Sequence, residues 1–138
     1  GEMRYLLTAS PAFVARHFPR GLTPAALAKA PAVAFDQRDD MHVSFMARHF
    51  ALAPGGYPCH TVRSSEAFVA MAEQGLACCL IPELQIRQQL AQGLLLDLSP
   101  DNHLIERLYW HRWVLERGLH KQISLRLIEQ GRRALQPR

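Results

Sequence analysis

The sequence predicts an α/β domain: a largely parallel or mixed sheet with helices on both faces. Three observations predict it. Apolar strand-like runs alternate with amphipathic helix-like segments from one end of the chain to the other. The strand-like runs, such as AVAF at 32–35 and LACCLI at 76–81, are continuously apolar, as expected of strands covered on both faces. Helix-start signals (Ser10-Pro11, Thr23-Pro24, Ser64-Ser65 and Pro82) stand where each helical pattern begins.

Taken in order, MRYLLTAS at 3–10 has the apolar and aromatic content of a strand. Ser10 is placed to cap a helix opening at Pro11, with Phe13, Val14, His17 and Phe18 on one face and PRG at 19–21 as its stop. Thr23-Pro24 starts a short helix that Pro31 ends, and AVAFD at 32–36 is a strand running into the polar turn DQRDD. From Asp40 to Phe50 the pattern groups Phe45, Met46, His49 and Phe50 on one helical side. PGGYP at 54–58 is a loop and CHTV at 59–62 the next strand. Ser64 or Ser65 caps the following helix, which buries Phe68, Met71 and Ala72 and stops at Gly75. LACCLI is a strand, and Pro82 opens a helix carrying Ile86 and Leu90. LLLDL and ERLYWHRWV read as strand-like, and a last helix over 119–135 aligns Ile123, Leu127, Gly131 and Leu135.

Composition excludes several classes. With 138 residues, 49% apolar and 20% charged, the chain fits one globular domain rather than a disordered one. Its longest apolar runs stop well short of the ~20 residues that span a bilayer, and no basic-then-apolar segment opens it, so a soluble cytoplasmic protein is expected. The net charge of +4 is scattered, with its densest cluster at Arg132-Arg133 and Arg138. A nucleic-acid reader concentrates its charge and interleaves aromatics, so direct binding of nucleic acid by this segment is not expected. Three cysteines in no regular spacing argue against a disulfide framework and for a reducing compartment.

Adjacent Cys78 and Cys79 invite a redox or metal reading. In a strand, however, they point to opposite faces, each into apolar packing, where a thiol stays protonated. Core cysteines are expected. His42 and His49 are two helical turns, ~10.5 Å, apart, too far to share an ion, and no His-x3-His or Cys-x2-Cys pair exists; no metal and no cofactor is expected. No G-x-S-x-G elbow supports a hydrolase.

Two places remain, both after strands, where ligands sit in such sheets. One is DQRDD, with Asp36, Asp39 and Asp40; the other is RSSEAF, with Ser64, Ser65 and Glu66 at a helix start. The first favours a cation. The second, with free N–H groups and the helix dipole, favours a carboxylate. A small zwitterion with an extra positive charge satisfies both. On the residues alone, the serines equally cap a helix and the aspartates equally form a solvated turn.

The run SSEAFVAMAEQGLACCLIPELQIRQQLAQGLLLDLSP resembles the effector-binding half of LysR-type transcriptional regulators, with their serine-led helix and strand ending in Leu-Pro or its like. MRYLLTASPAFVARHFPRG resembles that family's crossover into its second regulatory subdomain, and LYWHRW with the last helix resembles the return. ASPAFVA, KAPAVAFDQRDDMH, PCHTVRSSEAFV and CCLIP are similar to the arginine- and lysine-responsive branch. The resemblance implies a type II periplasmic-binding-protein-like effector domain, with 1–9 as first crossover, 10–105 as second regulatory subdomain, and 106–138 as return strand and helix of the first. It implies no catalysis, a small-molecule effector (L-lysine or L-arginine), and control of basic amino-acid export. It also implies a homodimer or tetramer, and DNA contact only through an N-terminal helix-turn-helix outside this chain. Asp36, Asp39 or Asp40 would take the cationic group, Ser64, Ser65 and the helix start the α-carboxylate, and Ser10 would line the hinge. Two other readings are a solute-binding protein of the same structural class and an enzyme with a Ser, His or Cys nucleophile, Cys59 being the most exposed thiol expected.

Overall fold

A computed structural model describes residues 1–36 and 38–135; Gln37 of the acidic turn and Arg138 of the basic cluster lie outside the described residues. The elements follow the expected order. They are β1 (Glu2–Ala9), α1 (Pro11–His17), α2 (Pro24–Leu27), β2 (Ala32–Ala34), α3 (Met41–Phe50) and β3 (Cys59–Thr61), then α4 (Ser65–Glu73), β4 (Cys78–Pro82), α5 (Glu83–Ala91), β5 (Leu96–Asp97), β6 (Leu104–Arg107) and α6 (Gly118–Ala134).

Local chemistry sets most boundaries. The Ser10, Thr23 and Ser64 hydroxyls accept from the backbone N–H of Phe13, Ala26 and Ala67 at 3.3, 3.2 and 3.2 Å, so each satisfies a donor the helix start leaves open. Of the two serines offered as cap for α4, Ser64 holds the position. At the other end Gly75 adopts φ +68°, and Leu76 N–H reaches back to the Met71 carbonyl at 3.0 Å, which closes the helix.

The sheet runs β3-β2-β4-β1-β5, with β6 also on β1. Only β2–β3 and β2–β4 are parallel; β1 is antiparallel to β4, β5 and β6. The sheet is therefore mixed, one of the two arrangements, parallel or mixed, expected of it, with fewer parallel pairs than the apolar strands suggest. A buried β1 is as apolar as a parallel strand, because helices cover both of its faces, and composition cannot tell the two directions apart. β5 and β6 follow each other along one edge of β1, Asp97 opposite Thr8 and Arg107 opposite Glu2. ERLYWHRWV departs from the strand expected of it: β6 ends at Arg107, and Tyr109, Trp110 and Trp113 are exposed.

Two cores flank the sheet. One packs Leu7, Phe13, Leu27, Phe45, Met46 and Cys78; the other packs Val33, Phe68, Ala72, Cys79, Ile81 and Ile86. Cys78 and Cys79 thus face opposite sides, as strand alternation requires. Burial pushes the Cys78 thiol up to about 12 and the Cys79 thiol further in the same direction, so both stay protonated. The last helix is different. Ile123 and Leu127, aligned along one side of it, are 47% and 45% exposed, and only Ser124 of α6 is buried, held between the Trp110 indole and Glu116. No helix among the described residues is long and apolar enough to cross a membrane.

Candidate functional site

Because β2 runs parallel to both β3 and β4, the carboxyl ends of all three strands lie at one edge of the sheet. A cavity of about 400 Å³ opens there. Its floor is apolar, from Val33, Phe68 and Leu80, and its rim carries Asp36, Arg38, Asp39, Ser65 and Gln85. Tyr5 and Pro82, directly paired across β1 and β4, close one side. An apolar pocket with few convergent polar groups is the usual form of a small-molecule site.

The acidic rim is fixed by the backbone it hydrogen-bonds. Asp39 Oδ2 accepts from Phe35 N–H at 3.0 Å and Oδ1 from Met41 N–H at 3.1 Å. One carboxylate thereby pins the end of β2 to the start of α3. Asp40, at the cap position of α3, has helical backbone angles (φ −90°, ψ −5°) and makes no side-chain cap bond. Asp36 Oδ1 accepts from Arg38 N–H at 2.8 Å in a tight turn, while its Oδ2 lies 3.8 Å from the exposed Arg63 guanidinium. Both carboxylates keep lone pairs for a further donor, since each oxygen can accept twice.

Beneath the rim lies His42, 1% exposed, with Nδ1 3.1 Å from the Tyr57 hydroxyl. Burial drives its pKa down to about 4, against a smaller opposing pull from Asp39, so the ring is neutral at pH 7. Nε2 has no hydrogen-bond partner among the described residues. Tyr57 is itself pushed up to about 12, chiefly by burial, and keeps its proton.

Of the seven residues the sequence proposes, the cavity lining includes Asp36, Asp39 and Ser65. The others stand elsewhere. Asp40 is exposed, and Ser64 caps α4 while donating to Glu66 Oε2 at 3.0 Å. The Glu66 carboxyl is held below its ordinary range by its own backbone N–H and then by the Ser64 hydroxyl. Ser10 is buried under α1, with its hydroxyl 3.1 Å from where a Cβ on Gly75 would sit. The sequence reading missed His42, Phe35, Tyr5 and Gln85. For His42 one signal was available: it opens the helix that follows the acidic turn, one helical turn before the buried pair Phe45 and Met46, so the same face buries it. Among the described residues no group of three His, Cys, Asp or Glu is arranged to hold a metal ion.

Comparison with known proteins fixes the lineage. The LysR substrate binding domain model matches residues 1–124. The chain belongs to the LysR substrate-binding domain family. A curated relative named HTH-type transcriptional regulator ArgP, from Aeromonas salmonicida, is 91% identical over 99% of this chain and 46% of its own length. The crystal structure of ArgP from Mycobacterium tuberculosis superposes with a TM-score of 0.80 at 37% identity, covering 97% of this chain and 44% of that one. LysG from Corynebacterium glutamicum, solved full-length with bound effector Arg, shares the fold, with a TM-score of 0.82 at 24% identity over 99% of this chain and 46% of that one. This LysR domain therefore spans less than half the length of the curated relatives it matches. Those relatives are named as regulators, not enzymes.

Proposed function

We propose that this chain is the effector-sensing part of a LysR-type DNA-binding regulator and that its cavity receives L-arginine or L-lysine. The observation that carries the reading is the rim: two carboxylates, Asp36 and Asp39, share one cavity with Ser65 at the start of α4. Carboxylates compensate a guanidinium or ammonium, and arginine can meet them with a two-pronged donor set where lysine offers a point charge. Ser65 and the free N–H groups of the α4 start suit the α-carboxylate. The arginine bound in LysG, of the same fold, supports the same class of ligand.

In the longer protein, residues 1–9 would be the first crossover, 10–105 the second regulatory subdomain, and 106–138 the return strand and the helix of the first. The half-exposed Ile123 and Leu127 support that division, because a helix that completes another subdomain carries an apolar side this body does not cover. DNA contact would reside in an N-terminal helix-turn-helix, assembly would be dimeric or tetrameric, and the setting cytoplasmic. The regulated genes would include a basic amino-acid exporter. Regulation is a population shift: the ligand acts through unequal affinity for two arrangements of the regulator, typically ~1–3 kcal/mol of coupling.

A thermal-shift titration against the twenty amino acids tests this, on this chain and on the full-length regulator. At a hundred times its dissociation constant a ligand adds about 2.7 kcal/mol of stability. Stabilisation by arginine or lysine alone is expected of the full-length protein; a panel without preference for basic amino acids refutes the assignment.

A further inference from the structure

One residue of the cavity lining holds a buried nitrogen that the contacts described so far leave unused. His42 lies in the first turn of α3, is 1% exposed, and contributes its ring to the cavity lining. Its Nδ1 meets the Tyr57 hydroxyl at 3.1 Å, whereas Nε2 is buried with no hydrogen-bond partner among the described residues. Buried polar nitrogens are rarely left so, and an unsatisfied one in a residue that lines a cavity points to a group that arrives from outside.

The chemistry of that group follows from the surroundings. A neutral imidazole carries one donor and one acceptor nitrogen, and whichever bond one nitrogen makes decides the role of the other. The charged groups on the cavity lining are Asp36, Arg38 and Asp39, and Asp39 is the one whose charge acts on His42. A donor at Nε2 would serve the acceptor that a free amino acid offers, its carboxylate, which the two nearby carboxylates repel. An acceptor at Nε2 calls for an N–H donor, and a cationic one is compensated by the same two carboxylates.

We propose that His42 is a specificity-determining residue of the cavity: its Nε2 accepts a hydrogen bond from the guanidinium or ammonium of the bound amino acid. Its Nδ1–H donates to Tyr57, which fixes the tautomer. This rests on reading the cavity as a basic amino-acid site. The arrangement offers a buried acceptor that bears no charge, so it neither repels the cation nor adds a third carboxylate to be desolvated. Tyr57 acts through His42 as a positioning residue.

The test is calorimetric titration of the full-length regulator with L-arginine and L-lysine, in the parent, His42→Asn and His42→Gln. Asparagine places an amide near the Nδ1 position and keeps a partner for Tyr57; glutamine reaches the Nε2 position. Loss of a hydrogen bond to a charged group should weaken the preferred ligand about tenfold to a hundredfold in His42→Asn, with His42→Gln within about threefold of the parent. Ring-¹⁵N spectra of the parent give a second readout that needs no variant: Nε2 should be unprotonated, and its resonance should move when L-arginine is added. His42→Asn binding as tightly as the parent, or an Nε2 that is protonated or unmoved by saturating ligand, overturns the assignment while leaving the cavity reading intact. A parent that binds neither amino acid overturns both.

Discussion

Acidification should unfold this domain through His42 in a pH window that the structure defines. The ring titrates near 4 in the folded state and near its ordinary 6.5 once unfolding restores it to water. Between those values the unfolded chain binds more protons than the folded one, so stability rises with pH and falls as pH is lowered from about 6.5 towards 4. Each tenfold change in proton affinity is worth about 1.4 kcal/mol, so the full passage costs about 3 kcal/mol. For a domain of this size that corresponds to a fall of roughly 10 °C in melting temperature. The Glu83 carboxyl, held low first by its hydrogen bond from Arg4, loses stability in the same direction at more acid pH, and His17, lowered by burial, adds a smaller contribution. The comparison that isolates His42 is therefore parent against His42→Asn, both melted by circular dichroism from pH 7.5 to pH 4. Above about pH 6.5 the parent's curve should be flat with respect to this group, and below it the two curves should converge or cross. Parallel curves across the whole window would refute the burial argument for His42.

Other expectations follow from single contacts. Asp39→Ala removes the acceptor of Phe35 N–H and Met41 N–H and should cost about 1–2 kcal/mol, read as a lower denaturation midpoint, together with weaker ligand binding; unchanged stability would show that the two bonds contribute nothing. Gly75→Ala forces a side chain into a left-handed backbone with a Cβ 3.1 Å from the Ser10 hydroxyl, and should destabilise by about 1–2 kcal/mol in the same assay. A thiol-reactive disulfide reagent should label Cys59 in the native protein and Cys78 and Cys79 only after unfolding; native labelling of either buried thiol would contradict the packing described here. Phe13→Ala, which empties the centre of one core, should cost about 3–5 kcal/mol.

What the sequence reveals divides along physical lines. Ser10, Thr23, Ser64 and Gly75 act within a few residues of themselves, so their capping and stopping roles are readable from local order, and all four perform them. Strand direction depends on contacts far along the chain, which is why β1 was legible as a strand but not as the antiparallel member of the sheet. Asp36, Asp39 and Ser65 could be drawn together because strand ends converge in such folds. Tyr5 and Gln85 could not, since β1 and α5 reach the cavity only through pairing and packing. His42 was weighed as half of a metal pair with His49 when its actual partner, Tyr57, comes from a loop fifteen residues on. The apolar side of α6 was read correctly as a pattern, but a pattern does not say which body will cover it.

The long first strand has a mechanical consequence. Before Tyr5, β1 leaves β4 behind and continues with β6 alone, so residues 2–4 and 105–107 form a two-stranded ribbon extending the sheet, while Tyr5 and Leu104 at its base pack on the core. A ribbon flexes readily across its plane and resists shear within it, because in-plane motion would break a row of backbone hydrogen bonds. The Arg4 guanidinium, 2.7 Å from Glu83 at the start of α5, adds a charged tie between that ribbon and the body, like a stay on a mast. Bending of the ribbon across its plane would therefore pull on Glu83, and Glu83 follows directly on Pro82, a residue of the cavity lining.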